Sequence, residues 1–365
     1  RPGLVEQAKE ARILYPDQIY IAESGHLYPE EVACTHTFRG DLTVRFRAIK
    51  PSDEEEMRRL MATPEVAARV LDQFLQEGVA HDQREILSAL SRFTKLWDVL
   101  FPAERARIVF NGDFNWFNID DAGFAEINRR VLEHRAILGN VEAELGADGA
   151  DAGCGCAYPA QVDDAVVARS NAIHARLKAT AARHPQLVER LARLPMFARF
   201  VVGDCRIGIV HGDADSLAGW QFAVDMLDAP GNQPWLADVF TRAEVDLFAS
   251  SHTCLPALRH CGEAGLVINN GAAGMPNFRG QTGGLLTRIA STPPNHPALY
   301  GTTQRGVNVD ALPIDYNNAE WDRQFLANWP PGSPAWCSYY PRISRGPDHD
   351  IERAAGNYFC NKTPV

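Results

Sequence analysis

The chain has 365 residues, 45% of them hydrophobic, and a formal net charge of −10 at pH 7, which fits a folded globular protein and excludes the disordered and fibrous classes. The acidic balance argues against a general nucleic-acid or anionic-membrane surface, though not against a local cluster that binds one phosphate group. No apolar run approaches the roughly 20 residues of a membrane span, so the expectation is a cytoplasmic protein with no membrane partner and an oligomeric state the sequence leaves open. The start, Arg1-Pro2-Gly3-Leu4, has neither Met nor a signal-peptide core, as in a trimmed fragment.

In chain order, residues 1–65 read as an appended segment, with a short strand at Ile19 to Ala22 and a second at Leu42 to Ile49, where Val44, Phe46 and Ala48 alternate with Thr43, Arg45 and Arg47. Pro51-Ser52-Asp53-Glu54-Glu55 opens a helix, Ser52 and Glu55 forming a capping box. Residues 66–100 are helical by period, with Val70, Phe74 and Leu75, then Ile86, Leu90 and Phe93 on apolar faces. Further helices are predicted from Asp121 to His134, from Asp163 to His184, and between Pro185 and Pro195. Strands are predicted at Leu285 to Ile289, Ala298 to Gly301 and Val307 to Ile314, and residues 331–365 read as a loop-rich wrap of aromatics and prolines. Alternation of helices with short strands between 66 and 330 is the pattern of an α/β domain. The eight cysteines read as reduced thiols, with Cys154-Gly155-Cys156 as loop cysteines.

Four polar clusters follow short β-prone or apolar runs: Asn111-Gly112-Asp113 after Ile108 to Phe110, Gly139-Asn140-Val141-Glu142 after Ala136 to Leu138, His211-Gly212-Asp213 after Ile207 to Val210, and Ser251-His252-Thr253-Cys254 after Val245 to Ala249. Each falls where a strand gives way to a loop, the place where open α/β sheets bind ligands. A carboxylate, a carboxamide and two imidazoles offer hard oxygen and borderline nitrogen donors, a mixture suited to Mn, Zn or Fe.

This order, closed by Asn269-Asn270-Gly271, resembles the calcineurin-like metallophosphoesterase superfamily from about residue 78 to 320. The resemblance implies a four-layer αββα sandwich, a small phosphate-ester substrate, and hydrolysis of a phosphomonoester or phosphodiester by a metal-activated hydroxide. It also implies roles. Asp113 would bridge two metals, and Asn140, His211 and His252 would hold the second. Two dications sharing a water lower its pKa from 15.7 toward roughly 7.

The family's opening Asp-x-His has as its nearest counterpart Val79-Ala80-His81, and Cys254 replaces the second closing His, so His81 and Cys254 are the candidates for the first metal. Val141 replaces the His that protonates the leaving group in many members. Glu142 then either bonds the loop or transfers a proton. Trp116 and Phe117 stand where the family carries a phosphate-touching pair, and either stack on a substrate ring or pack. Asp213 orders its own loop, Trp220 and Phe222 read as core, and His26, His174, His184 and His260 as surface residues. A second reading is a degenerate member that keeps one metal site and catalyses nothing. Residues 15–62 also resemble the junction of acetyl-CoA hydrolase-like proteins with an acetyltransferase domain, through Tyr15-Pro16-Asp17-Gln18-Ile19-Tyr20 and Val44 to Ile49. That similarity implies an appended acetyltransferase remnant, its first strand and helix only, with no Gly-rich turn to hold a CoA pyrophosphate. A CoA-binding acyl-transfer module is a third reading, resting on residues 15–62 alone.

Overall fold

The computed structural model of the protein describes residues 18–22, 107–146, 153–294 and 297–356, all within the compact unit Arg1–His36 with Ala106–Val365. The strand expected at Leu42 to Ile49, the helix opening at Pro51, the helical pattern of 66–100, His26 and His81 lie outside the described residues.

In chain order the strands are β1 (Gln18–Ala22), β2 (Arg107–Phe110), β3 (Arg135–Ala136), β4 (Phe197–Val202), β5 (Cys205–Val210), β6 (Leu247–Ser250), β7 (Ala257–His260), β8 (Leu266–Asn269), β9 (Gly284–Ala290), β10 (Tyr300–Gln304) and β11 (Val307–Ile314). The helices are α1 (Asp121–Val131), α2 (Asn140–Leu145), α3 (Asp164–Ala181), α4 (Pro185–Ala192), α5 (Val224–Asp228), α6 (Gln233–Ala243), α7 (Asn318–Asn328), α8 (Pro334–Arg345) and α9 (Ile351–Ala355). One sheet has six strands in the order β10-β11-β9-β1-β2-β3 and the other five in the order β4-β5-β6-β8-β7. Strands β1, β2 and β3 are parallel, as are β5, β6 and β8. Their carboxyl ends carry the polar clusters.

Period-2 alternation sorts side chains to the two faces of each sheet. Ile19, Ile21 and Val109 from one sheet meet Ile207, Ile209, Leu247, Ala249 and Ile268 from the other in the central core. The intervening residues face outward: Phe110, Leu286 and Leu312 pack with Phe124, Ile173 and Leu177 of α1 and α3, and Val210, Phe248 and Val267 with Leu236, Val239 and Phe240 of α6. The layers are therefore helix, sheet, sheet, helix. Because both faces of β6 are covered, all four of its residues are buried, and Leu247, Phe248 and Ala249 form an unbroken apolar run before Ser250 instead of alternating with polar residues.

Two expectations change. Gln18–Ala22 is no appendage: β1 lies between β9 and β2, in register with Arg107 to Phe110 from Ile19 to Ala22. Its alternate residues Ile19 and Ile21 are fully buried, so the boundary expected at 65 cuts through the sheet. The region after 331 is also more helical than its prolines suggest. Ser333 caps α8 and Pro334 occupies its first turn, where proline's fixed φ suits a helix and its missing N–H costs no bond. No helix among the described residues is long and apolar enough to cross a membrane.

Removing the branched side chain of a fully buried central strand leaves a cavity as well as losing transfer energy. Ile21→Ala is expected to lower the unfolding free energy by about 2–5 kcal/mol in urea titration. A loss below about 0.5 kcal/mol would mean that β1 is peripheral.

Candidate metal centre

The site is assembled from four strand-to-loop transitions. Asp113 follows β2, Asn140 opens α2 after β3, and His211 and His252 follow β5 and β6. The first two loops touch at glycine. A Cβ on Gly112, whose φ is +96°, would stand 2.5 Å from the Gly139 Cα and 2.7 Å from His211 Nδ1, and one on Gly139 would overlap Asp113. No side chain fits between these loops, so Gly directly precedes both Asp113 and Asn140. Asp113 itself is left-handed, at φ +59°, a conformation Asp tolerates better than most residues. Glu142 holds it there by accepting the Asp113 N–H at 2.7 Å, and the Val141 N–H donates to Asp113 Oδ1 at 3.0 Å.

Four side-chain atoms then converge. His211 Nε2 is 3.0 Å from Asn140 Oδ1, 3.2 Å from Asp113 Oδ2 and 3.2 Å from His252 Nδ1. The outer end of each neutral side chain meets a backbone carbonyl: His211 Nδ1 meets Asn111 O at 2.7 Å, His252 Nε2 meets Cys156 O at 3.2 Å, and Asn140 Nδ2 donates to Cys154 O at 2.8 Å. A carbonyl only accepts, so each outer nitrogen must carry the hydrogen, and each inner nitrogen or oxygen presents a lone pair. With the Asp113 carboxylate this makes four acceptors facing one point. They repel one another unless positive charge sits among them. A proton on His211 satisfies part of that demand, and a divalent cation satisfies all of it, so the donor set fits a metal ion.

The electrostatics agree. Burial acts to raise the Asp113 pKa, but the facing imidazoles of His211 and His252, with the Val141 N–H, hold it below the usual carboxylate value. Burial, then repulsion from His211, pushes His252 down to about 4, so it is a neutral ligand at pH 7. Burial and the adjacent Asp113 charge push Glu142 up to about 7. Glu142 is 1% exposed and accepts from the Asn115 N–H and side-chain amide as well as from Asp113. Its place is behind the loop, bonding it, and it does not line the cavity above the site.

Of the residues expected to bind metal, Asp113, His211 and His252 have ligand atoms within 4.8 Å of one another, and Asn140 joins them through His211. Cys254 does not. Its φ of +56° turns the chain, and its thiol lies 3.5 Å from the His252 carbonyl, at the cavity wall. β1 ends level with Phe110, and the sequence continues with Glu23-Ser24-Gly25-His26, outside the described residues.

Three other readings are corrected. His174, expected on the surface, is 1% exposed and bonds the Val141 carbonyl at 3.1 Å. Trp220 is half-buried on the cavity, edge-on to His252 at 5.1 Å between centroids, whereas Phe222 is core as expected. Cys154 and Cys156 pair as a disulfide instead of standing as free thiols, and their loop supplies two of the three orienting carbonyls. Backbone acceptors leave no side-chain signature, so Asn111 O, Cys154 O and Cys156 O were invisible to sequence reasoning. Asp213 does order its loop, accepting from the N–H groups of Asp215, Ser216 and Gln221.

No protein-family model matches the sequence, and no curated protein matches it. Among solved structures, the chain is similar to a hypothetical protein from Pyrococcus horikoshii OT3, with 14% identity and a TM-score of 0.41 over 72% of this chain and 94% of that one. It is similar to a metallophosphoesterase from Sphaerobacter thermophilus, with 18% identity and a TM-score of 0.41 over 70% and 94%. It is also similar to Vps29 from Chaetomium thermophilum, with 12% identity and a TM-score of 0.25 over 61% and 87%.

Ligand binding to the folded state alone stabilises it, by about 2.7 kcal/mol at a cation concentration 100 times Kd. Mn²⁺ or Zn²⁺ is therefore expected to raise the melting temperature of metal-stripped protein but not of His211→Ala. Glu142→Ala, which frees the Asp113 loop, should weaken cation affinity about 10–100-fold in calorimetric titration. Unchanged affinity in both variants would place the cation elsewhere.

Proposed function

We propose that this chain is a divergent calcineurin-like metallophosphoesterase that hydrolyses a phosphomonoester or phosphodiester. The carrying observation is the convergence of Asp113 Oδ2, Asn140 Oδ1, His211 Nε2 and His252 Nδ1, with the outer ends of the three neutral side chains tied to backbone carbonyls. These residues would hold Mn, Zn or Fe. A cation bound there supplies Lewis-acid polarisation of a phosphoryl oxygen and a bound water acidic enough to be a nucleophile at neutral pH.

The protein's own residues supply position. Asp113 brings negative charge to the centre and is fixed by two bonds to α2. The carbonyls of Asn111 and Cys156 keep both imidazoles in one tautomer, so no reorganisation is needed as charge develops. Glu142 and His174 act on the Asp113 and Val141 backbone and are positioning residues. Val141, buried at the cavity wall, has no proton to give a leaving group.

A second reading, a fold that binds one cation without catalysis, is favoured by Cys254: its thiol turns to the His252 carbonyl and leaves the donor cluster. Turnover separates the two. With Mn, Zn or Fe added, p-nitrophenyl phosphate or bis-p-nitrophenyl phosphate is expected to be cleaved, and Asp113→Ala to lose activity by on the order of a thousandfold. A parent no faster than Asp113→Ala, retaining one equivalent of metal by elemental analysis, would establish the non-catalytic reading instead.

A further inference from the structure

Directly over the donor set lies a cavity of 160 Å³, lined by Asp113, Val141 and His252 together with Trp116, Tyr158, Trp220, Met275 and Tyr339. Its wall is aromatic. Tyr158 and Trp220 lie 5.8 Å apart between centroids, Trp116 and Tyr339 6.1 Å, and Trp220 meets His252 at 5.1 Å. These rings are held in place. The Trp220 indole N–H donates to Cys156 O at 3.0 Å, the carbonyl that also orients His252, and the Tyr158 hydroxyl bonds Ser170 at 2.9 Å. Arg342, beside the cavity, donates to the backbone carbonyls of Cys254 and Pro276, and among the described residues the wall carries no Lys or Arg.

We infer that this cavity is a ring-binding subsite, and that the substrate is an aryl-type phosphate ester whose single uncharged ring lies among Trp116, Tyr158, Trp220 and Tyr339 while its phosphate faces Asp113 and His252. The inference builds on the phosphoesterase reading by naming the substrate class. Size supports it: an apolar cavity of about 150 Å³ takes one benzene, and this cavity measures 160 Å³. Chemistry supports it too. Aromatic walls bind rings through offset and edge contacts, pockets with few polar groups near the reacting centre are typical of small-molecule sites, and an aryloxide is a weak base that departs without the proton Val141 cannot provide.

The test uses the full chain loaded with Mn²⁺, titrated with phenylphosphonate, methylphosphonate and 1-naphthylphosphonate and read by quenching of tryptophan fluorescence and by calorimetry. Phenylphosphonate should bind at least about tenfold more tightly than methylphosphonate, equivalent to about 1.4 kcal/mol, and naphthylphosphonate no more tightly than phenylphosphonate. Trp220→Leu and Tyr339→Leu should each shrink the phenyl-to-methyl ratio to about threefold or less, with metal content measured in each variant. Equal affinities for phenyl and methyl in the parent, or a ratio that survives both substitutions, would overturn the subsite. Tighter naphthyl binding would overturn the single-ring assignment. Ring preference in a protein that neither retains metal nor cleaves bis-p-nitrophenyl phosphate would keep the subsite and discard the phosphoesterase reading. Metal retention and turnover without ring preference would do the reverse.

Discussion

Three backbone carbonyls decide what this site is. Asn111 O, Cys154 O and Cys156 O each take up the donor end of a neutral side chain, and a neutral imidazole or carboxamide whose hydrogens are engaged outward can present only a lone pair inward. Add the Asp113 carboxylate, and the interior holds acceptors with too few donors. Buried acceptors left facing one another are costly. The arrangement suits positive charge at their centre, and the Asp113, His211 and His252 ligand atoms lie close enough together to share a cation.

The fold serves it by geometry. Parallel strands in both sheets deliver their carboxyl ends to one edge, so Asp113, Asn140, His211 and His252 arrive from four separate segments without any long excursion. The remaining separation is closed by glycine, where the loops after β2 and β3 approach too closely for a side chain. Glu142 then ties one loop to the other through the Asp113 and Asn115 backbone. Burial of Glu142 and His174 beneath these loops makes the site part of the packed interior, so errors in its geometry would cost packing as well as hydrogen bonds.

Much of the site was legible. Asp113, Asn140, His211 and His252 stand at the ends of apolar runs in a fixed order, and strand-end loops of an α/β domain are a small target. Long periodic helices such as α3 were visible because their repeat extends over several turns, and Val307 to Ile314 because its strand period does. Less local matters were hidden. Cys254 matched by position in the motif, yet a left-handed turn at that residue aims its thiol at a carbonyl. His174 and Trp220 gave no sign of their places, since a lone ring in a polar or apolar stretch does not say which cavity it lines. The prolines after 331 read as breakers because a proline at the first turn of a helix and one in a loop look alike without the cap.

The sequence by itself determined the chemistry available, namely a carboxylate, a carboxamide and two imidazoles at strand ends, and the α/β class, because periodicity and residue type are local properties. Tertiary structure alone decided that Gln18–Ala22 is a central strand, that Glu142 faces the loop instead of the cavity, which tautomer His211 and His252 adopt as neutral rings, and that six aromatic and thioether side chains wall the space above the donors. All of these depend on partners distant in the chain, and on backbone atoms that every residue shares and no sequence pattern distinguishes.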